Sequence, residues 1–289
     1  MFFNKKIIII FLIIAIIAGL GLAVFLFCSN PKKQLELDFL NVEQGDAILI
    51  KTPYGQNILI DGGDGKEILR ELPRELPFYD RAIDLMILTH PHDDHVGGLV
   101  KVLQRYRVKK ILYTGVSHTS PTYLEWLNII KRKNIPLTII DRPQTITLGA
   151  DLRLDILYPL ESLLNKKMEN LNNSSIVAKL IYQDQNFLFT GDLEEMEEQV
   201  LLEKNIDLRA DILKIGHHGS DTSSSEKFLE AVKPSAAVIS VGKDNDFGHP
   251  SLRVINRLER LGVKIYRTDL NGWIKINSNG KLNDIHSER

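Results

Sequence analysis

The 289-residue sequence has one cysteine, Cys28. A lone thiol builds neither a disulfide framework nor a thiolate zinc knuckle, so any bound metal must use histidine and carboxylate ligands. Excess charge is also missing. The formal net charge is −1, and once Lys5 and Lys6 are set aside, 34 basic side chains face 37 acidic ones over residues 30–289. Beyond a local stripe, this argues against a basic surface for non-specific nucleic-acid binding. No internal period marks a solenoid or propeller. Long hydrophobic runs are absent too, save one. A 44% apolar, 25% charged composition supports a large packed core without disulfides, arranged as one large domain or two smaller ones.

The one long run follows Lys5-Lys6 and extends from Ile7 to Phe27 without a charge. At about 1.5 Å per residue it is long enough to cross a bilayer, and it lacks the polar face of a buried core helix. It reads as a membrane anchor or a signal peptide. Gly21-Leu22-Ala23 mimics a cleavage site, but apolar residues continue to Phe27, and Phe27 is not the small residue that a lipoprotein site at Cys28 requires. The expectation is an uncleaved single-pass anchor over 1–29 and a domain over 30–289 outside the cytoplasmic membrane; cleavage would make the chain secreted. Orientation rests on the short amino-terminal tail staying inside, because Lys5 and Lys6 are balanced by Lys32 and Lys33.

Within residues 30–289, polar groups gather at the ends of apolar runs. Leu85-Met86-Ile87-Leu88 reads as a buried strand, and it leads into Thr89-His90-Pro91-His92-Asp93-Asp94-His95-Val96-Gly97-Gly98. Three of the chain's eight histidines fall in one hexapeptide of pattern His-x-His-x-Asp-His. A loop can turn His90, His92, Asp94 and His95 toward one point, which a straight strand with alternating side chains cannot. Imidazole and carboxylate are ligands of zinc and related ions. Asn186–Thr190 is a strand ending in Gly191-Asp192, where Asp192 is either a site carboxylate or the cap of an acidic helix from Leu193 to Glu203. Residues 211–215 form a strand ending in Gly216-His217-His218-Gly219-Ser220. Three strand-end loops with His and Asp are what a composite metal site requires.

Other positions stay open at this level. Asp61, before Gly62-Gly63, is a turn carboxylate or a neighbour of the metal site, and Asp46 is equally ambiguous. His118 reads as a solvated loop residue, and His249 follows the apolar run Ala236–Val241 in a Gly-His-Pro turn. Strands are expected at 35–40, 47–50, 58–60, 109–113, 137–140, 152–157, 176–182, 263–266 and 273–276. Helices are expected at 65–72, from Val96 to Tyr106, and at 121–133 with Leu124, Leu127 and Ile130 inward; further helices close at Val232 and run from the Ser251 cap to Leu261. Asn170 to Ser175 reads as a polar turn. The alternation implies an α/β class with a mixed sheet.

The motifs His90-x-His92-x-Asp94-His95, Gly191-Asp192 and Gly216-His217-His218-Gly219-Ser220 resemble the metallo-β-lactamase-fold hydrolases. With Gln44-Gly45-Asp46, Ile60-Asp61-Gly62-Gly63 and Phe247-Gly248-His249-Pro250, the chain is more narrowly similar to the C-terminal hydrolase domain of ComEC-type competence proteins, over residues 35 to 277. The multi-span channel portion of those proteins has no counterpart, since only one apolar segment is long enough to span. The resemblance implies a four-layered αββα sandwich binding one or two divalent ions, zinc or manganese. It places His90 and His92 on one metal and Asp94 and His95 on the second, with Asp192 bridging and His217 or His218 completing the second; His217 is favoured. Many relatives carry a further histidine where this chain has Asn172-Asn173-Ser174-Ser175, as ComEC-like members do.

The function implied is hydrolysis through a metal-bound hydroxide, with Asp94 or Asp192 accepting a proton and His249 donating one or binding a substrate oxygen. The substrate implied is a phosphodiester, such as single-stranded DNA. Two alternatives stand beside it: a small or cell-envelope ester, lactone or β-lactam, and a non-catalytic membrane-tethered binding module. Fold alone does not choose among substrates.

Overall fold

The structure is a computed structural model that describes Phe11 and residues 13–21, 34–76 and 79–289. The chain divides into two units, Met1–Lys33 and Gln34–Arg289. In the first, Phe11 and residues 13–21 are helical and expose apolar side chains such as Ile14 and Ile17. The remainder of the expected anchor over 7–27, with its flanking lysines and Cys28, lies outside the described residues. Among the described residues, no helix is long and apolar enough to cross a membrane.

The second unit holds two large sheets. The first has eight strands in the order Asn283–Ser287, Ile274–Ser278, Leu35–Phe39, Ile48–Lys51, Asn57–Ile60, Leu85–Ile87, Ile111–Tyr113 and Leu137–Ile139. The second has seven: Lys264–Arg267, Ala236–Ile239, Ile212–Lys214, Gln185–Phe189, Val177–Tyr182, Leu152–Tyr158 and Gln144–Thr147. Strand alternation builds the layers. Ile48, Ile50, Ile58, Ile60 and Ile87 face one way and meet Leu154, Leu180, Phe187, Phe189 and Val238 of the other sheet. Their neighbours Leu49, Leu59 and Met86 face the opposite way and pack under the Ile68–Glu75, Asp93–Arg105 and Pro121–Lys133 helices. Leu188, Leu213 and Ala237 do the same beneath the Glu195–Glu203, Glu226–Val232 and Leu252–Arg260 helices. The result is the expected αββα sandwich.

Several local expectations shift. The 65–72 helix runs over Ile68–Glu75 instead and carries Pro73 in its last turn. The Pro121–Lys133 helix has the expected bounds, capped by the Ser120 hydroxyl accepting from Tyr123 N, but rolls so that Tyr123, Trp126, Ile129 and Ile130 are buried. Leu124 is 44% exposed, because the aromatic trio Tyr113, Tyr123 and Trp126 fills the space under the helix. Beside the two-residue strands Ala82–Ile83 and Arg107–Val108, two strands of the large sheets escape the pattern reading, Gln144–Thr147 and Asn283–Ser287. Both are edge strands with largely exposed, polar side chains, so no apolar alternation marks them. The stretch read as a polar turn is a buried 3-10 turn, Leu171–Ser174, with Asn172, Asn173, Ser174 and Ser175 all withdrawn from solvent.

Candidate metal centre

The strands Asn57–Ile60, Leu85–Ile87 and Ile111–Tyr113 are mutually parallel, as are Gln185–Phe189, Ile212–Lys214 and Ala236–Ile239. Parallel strands deliver their carboxyl ends to one edge, where such sheets place their ligand sites. Asp61, Thr89-His90, Asp192, His217-His218 and Ser240 all follow these ends. The Asp93–Arg105 helix starts inside the motif, with His92 at its cap position, so Asp94 and His95 stand on its first turn. The expectation of a helix beginning after His95 is corrected here: the helix dipole favours the carboxylates Asp93 and Asp94 at that end.

Close backbone approach fixes that turn. Gly62 N donates to His95 O at 2.9 Å, Gly98 N to Gly63 O at 2.8 Å and Asp46 N to Asp94 O at 3.3 Å. A Cβ on Gly98 would land on the Gly62 carbonyl. Gly98→Ala is therefore expected to displace Asp94 and His95 and lower bound metal at least tenfold, as measured by metal analysis after desalting, with the helical signal kept. Full metal content in that variant would contradict this account of the turn.

Ligand atoms of Asp94, His95, Asp192 and His218 all lie within 4.8 Å of one another. Asp192 Oδ2 is 3.2 Å from His95 Nε2, 3.3 Å from His218 Nε2 and 3.9 Å from His90 Nε2. His218 Nε2 is 3.2 Å from Asp94 Oδ2. His92 Nδ1 lies 3.1 Å from His90 Nε2. The far ring nitrogens are held from behind. His218 Nδ1 donates to Ser240 O at 2.8 Å, and His95 Nδ1 lies 2.9 Å from Asp61 Oδ2, whose carboxylate also accepts from Thr89 N and Oγ1. This is the outer support that turns Nε2 toward a metal.

The donor set fits a divalent ion. Among the described residues, the buried atoms without a hydrogen-bond partner include His95 Nε2, His218 Nε2 and Asp192 Oδ1. Buried polar atoms are ordinarily paired. Here the two imidazole nitrogens converge with Asp94 and Asp192 on one point. Burial opposes a charge on His95, but Asp192, Asp94 and Asp61 outweigh it and hold His95 well above its ordinary range. Against the same cost of burial, His218 is pushed up to about 10 by Asp192, Asp94 and Asp46. Burial would raise Asp192, yet His218 and His95 hold it well below its ordinary value. His90 is pulled well below its range by burial, with His95 adding to the effect.

Four expected residues lie outside this cluster: His90 and His92 adjoin it on one side of Asp192, and His217 and His249 stand apart. His217 faces Glu194 Oε1 at 3.2 Å, Asn172 Nδ2 at 3.3 Å and Thr222 Oγ1 at 3.3 Å. The separation of His217 from His218 arises because both adopt left-handed backbone, at φ 47° and 53°, so successive side chains diverge. His249 packs edge to face on His217, ring centroids 5.5 Å apart, and is lowered by burial and by His217. His118, read as a solvated residue, lines the cleft with Gln44, Asp64, His92, Asp94 and Phe247, a cavity of about 470 Å³ that opens over Asp192.

One residue at the centre carried no expectation. Lys214 is 1% exposed. Its ammonium pairs with Asp46, donates to Gly191 O at 3.0 Å and lies 3.6 Å from Asp192 Oδ1. A lysine inside the apolar run Ile212-Leu213-Lys214-Ile215 was the available signal. Asp46 and Asp61, left open by the sequence, are both buried against His95 or Lys214.

A second acidic group gathers Glu36 and Asp38 of the Leu35–Phe39 strand with Glu75 at the end of the Ile68–Glu75 helix, but Lys51 and Lys275 fill it. Burial raises Asp38 to about 7, so its contribution to stability is full below its ordinary value of 3.8 and lost as pH rises through 7. Asp38→Asn is expected to flatten that part of a Tm-against-pH profile; an unchanged profile would contradict the raised value.

Residues 40–243 match the family model described as metallo-beta-lactamase superfamily. The chain is 30% identical over 257 residues to ComE operon protein 3 of Bacillus subtilis (strain 168), covering 83% of this chain and 32% of that protein. It is 29% identical over 252 residues to competence protein ComA of Neisseria gonorrhoeae, covering 85% and 32%. The chain thus spans about a third of the length of the curated relatives it matches. In fold it is similar to CmlA, a diiron β-hydroxylase from Streptomyces venezuelae, with TM-score 0.56 at 15% identity, over 85% of this chain and 54% of that one. The family match takes in the His90–His95 motif, Asp192 and the His217-His218 turn, and with the αββα layering and the converging donors it means that this chain belongs to the metallo-beta-lactamase superfamily.

Proposed function

We propose that this chain is a membrane-anchored, metal-dependent phosphodiesterase that cuts single-stranded DNA or a related phosphodiester outside the cytoplasmic membrane. The observation that carries the reading is the convergence of Asp94, His95, Asp192 and His218 at the end of both sheets, in a chain related to competence proteins. His218 rather than His217 is the ligand, with Asp192 shared toward His90 and His92. Zinc and manganese both suit this mixture of imidazole and carboxylate. Bound there, such ions supply an acidified water and a clamp on the attacked group.

The chain's own residues divide the remaining work. Asp94 is the cluster carboxylate most open to the cleft, its side chain 26% exposed, so it is the group placed to take a proton from the attacking water. Asp61 and the Ser240 carbonyl hold the two rings in register. His249, half-buried behind Phe247, flanks the path by which a substrate enters.

The test uses the full chain in detergent, loaded with manganese or zinc, and follows end-labelled single-stranded DNA. Metal-dependent cleavage is expected. Its absence in a folded, metal-loaded chain would overturn the phosphodiesterase reading in favour of a small or cell-envelope ester, which a cleft without lysine or arginine among its lining residues would also suit. A folded chain that retains no metal would favour a binding module. Anchoring through residues 7–27 predicts that the chain stays with membranes through alkaline carbonate washing; release by that wash would contradict it.

A further inference from the structure

Phosphate-binding clefts are ordinarily basic, but this one is not. Its lining includes Asp64, Asp93 and Asp94 and neither lysine nor arginine. A single strand held here is not clamped by side-chain cations along its backbone. Stacking on aromatic side chains is the other general means of holding one.

The cleft carries such a surface. Phe247 is 68% exposed at its lip. Its ring lies nearly parallel to that of His249, centroids 5.8 Å apart and planes 18° apart. His249 in turn meets His217 at 5.5 Å and 68°, and His217 rests on Glu194. A graded row of rings therefore runs from solvent into the same cleft as Asp192. The row is braced. Asn245 Nδ2 donates to Gly242 O and His249 O, both at 2.8 Å, and Asn245 Oδ1 accepts from His249 N at 2.9 Å. Ser251 N donates to Gly219 O at 2.8 Å, tying the loop to the His217-His218 turn. An exposed phenyl ring held in place loses little freedom on contact, which is the condition for a useful platform.

We infer that Phe247, backed by His249, is a base-stacking subsite that selects substrates with a planar nucleobase next to the phosphate attacked. The inference rests on the phosphodiester reading, which it narrows to strands with unpaired bases. A duplex would hide the base faces from Phe247, so unpaired strands are preferred.

The test is equilibrium binding of the metal-loaded full chain to a fluorescent oligothymidylate with hydrolysis-resistant phosphorothioate linkages, beside an abasic chain of equal length. Phe247→Ala is expected to weaken oligothymidylate binding about tenfold, within the contribution of one stacked base, and to leave abasic binding unchanged. Phe247→Trp should restore it. Equal losses on both chains, or none on either, would overturn the subsite. Cleavage of the ordinary phosphodiester by the unaltered chain is scored separately. Base-dependent binding without cleavage would sink the phosphodiesterase reading and leave the subsite standing.

Discussion

Asp192→Ala is expected to abolish turnover and to empty the metal centre, with the sandwich still folding. The loss of activity should exceed about a hundredfold, the upper end for removing only an outer partner of a metal ligand. The reason is geometric. Asp192 Oδ2 lies 3.9 Å from His90, 3.2 Å from His95 and 3.3 Å from His218, so its removal is expected to affect both halves of the proposed ligand set together. The fold is expected to survive because Lys214 keeps Asp46 and the Gly191 carbonyl as partners. Stability falls nonetheless. The Asp192 carboxyl is held below its ordinary value in the metal-free fold, so its contribution is present above about pH 4 and lost as pH falls through the folded-state value. Metal analysis and a melting curve on the same sample check both halves. A variant with wild-type metal content and turnover would contradict the assignment.

The largest effect on stability is expected at Lys214. Lys214→Met should cost about 3–5 kcal/mol, the range for removing one member of a buried ion pair, because Asp46 would be left buried without its ammonium. For a domain of this size that is a fall in Tm on the order of 10 °C. Adding Asp46→Asn to the same chain should recover part of the loss, since it removes the stranded carboxyl group. Thermal and urea unfolding measure both. A single variant within about 0.5 kcal/mol of the parent would mean that the pair contributes no more than surface charges do. The ammonium also occupies the Oδ1 side of Asp192, which leaves Oδ2 directed at the histidines.

How much of this was legible in the sequence depends on how local each signal is. The hexapeptide from His90 to His95, Gly191-Asp192 and the His217-His218 pair are local and stood out at once. The alternation of short strands and helices implied an α/β class with a mixed sheet, and the αββα layering followed from the resemblance to the metallo-β-lactamase-fold hydrolases; the inter-sheet core includes the alternate residues Ile48, Ile50, Ile58 and Ile60. Choosing between His217 and His218 was beyond the pattern, because the two are adjacent and chemically identical. A left-handed turn of both backbones sets His218 among Asp94, His95 and Asp192 and His217 beside Glu194, and only the Gly216 and Gly219 flanks hint at that turn. Asp46, Asp61 and Lys214 meet only when two sheets close on one another, so no window of sequence contains their relation. His118 and Phe247 are brought to the cleft by loops from opposite sheets for the same reason. The edge strands Gln144–Thr147 and Asn283–Ser287 were hidden because one-sided burial is too slight to pattern their side chains.

The most direct measurement on the metal centre is anomalous diffraction from crystals of the chain soaked in manganese or zinc. The account predicts a peak enclosed by Asp94, His95, Asp192 and His218, with any second peak on the His90 and His92 side of Asp192. A peak held by His217 and His249, or none at all in a folded chain, would contradict it.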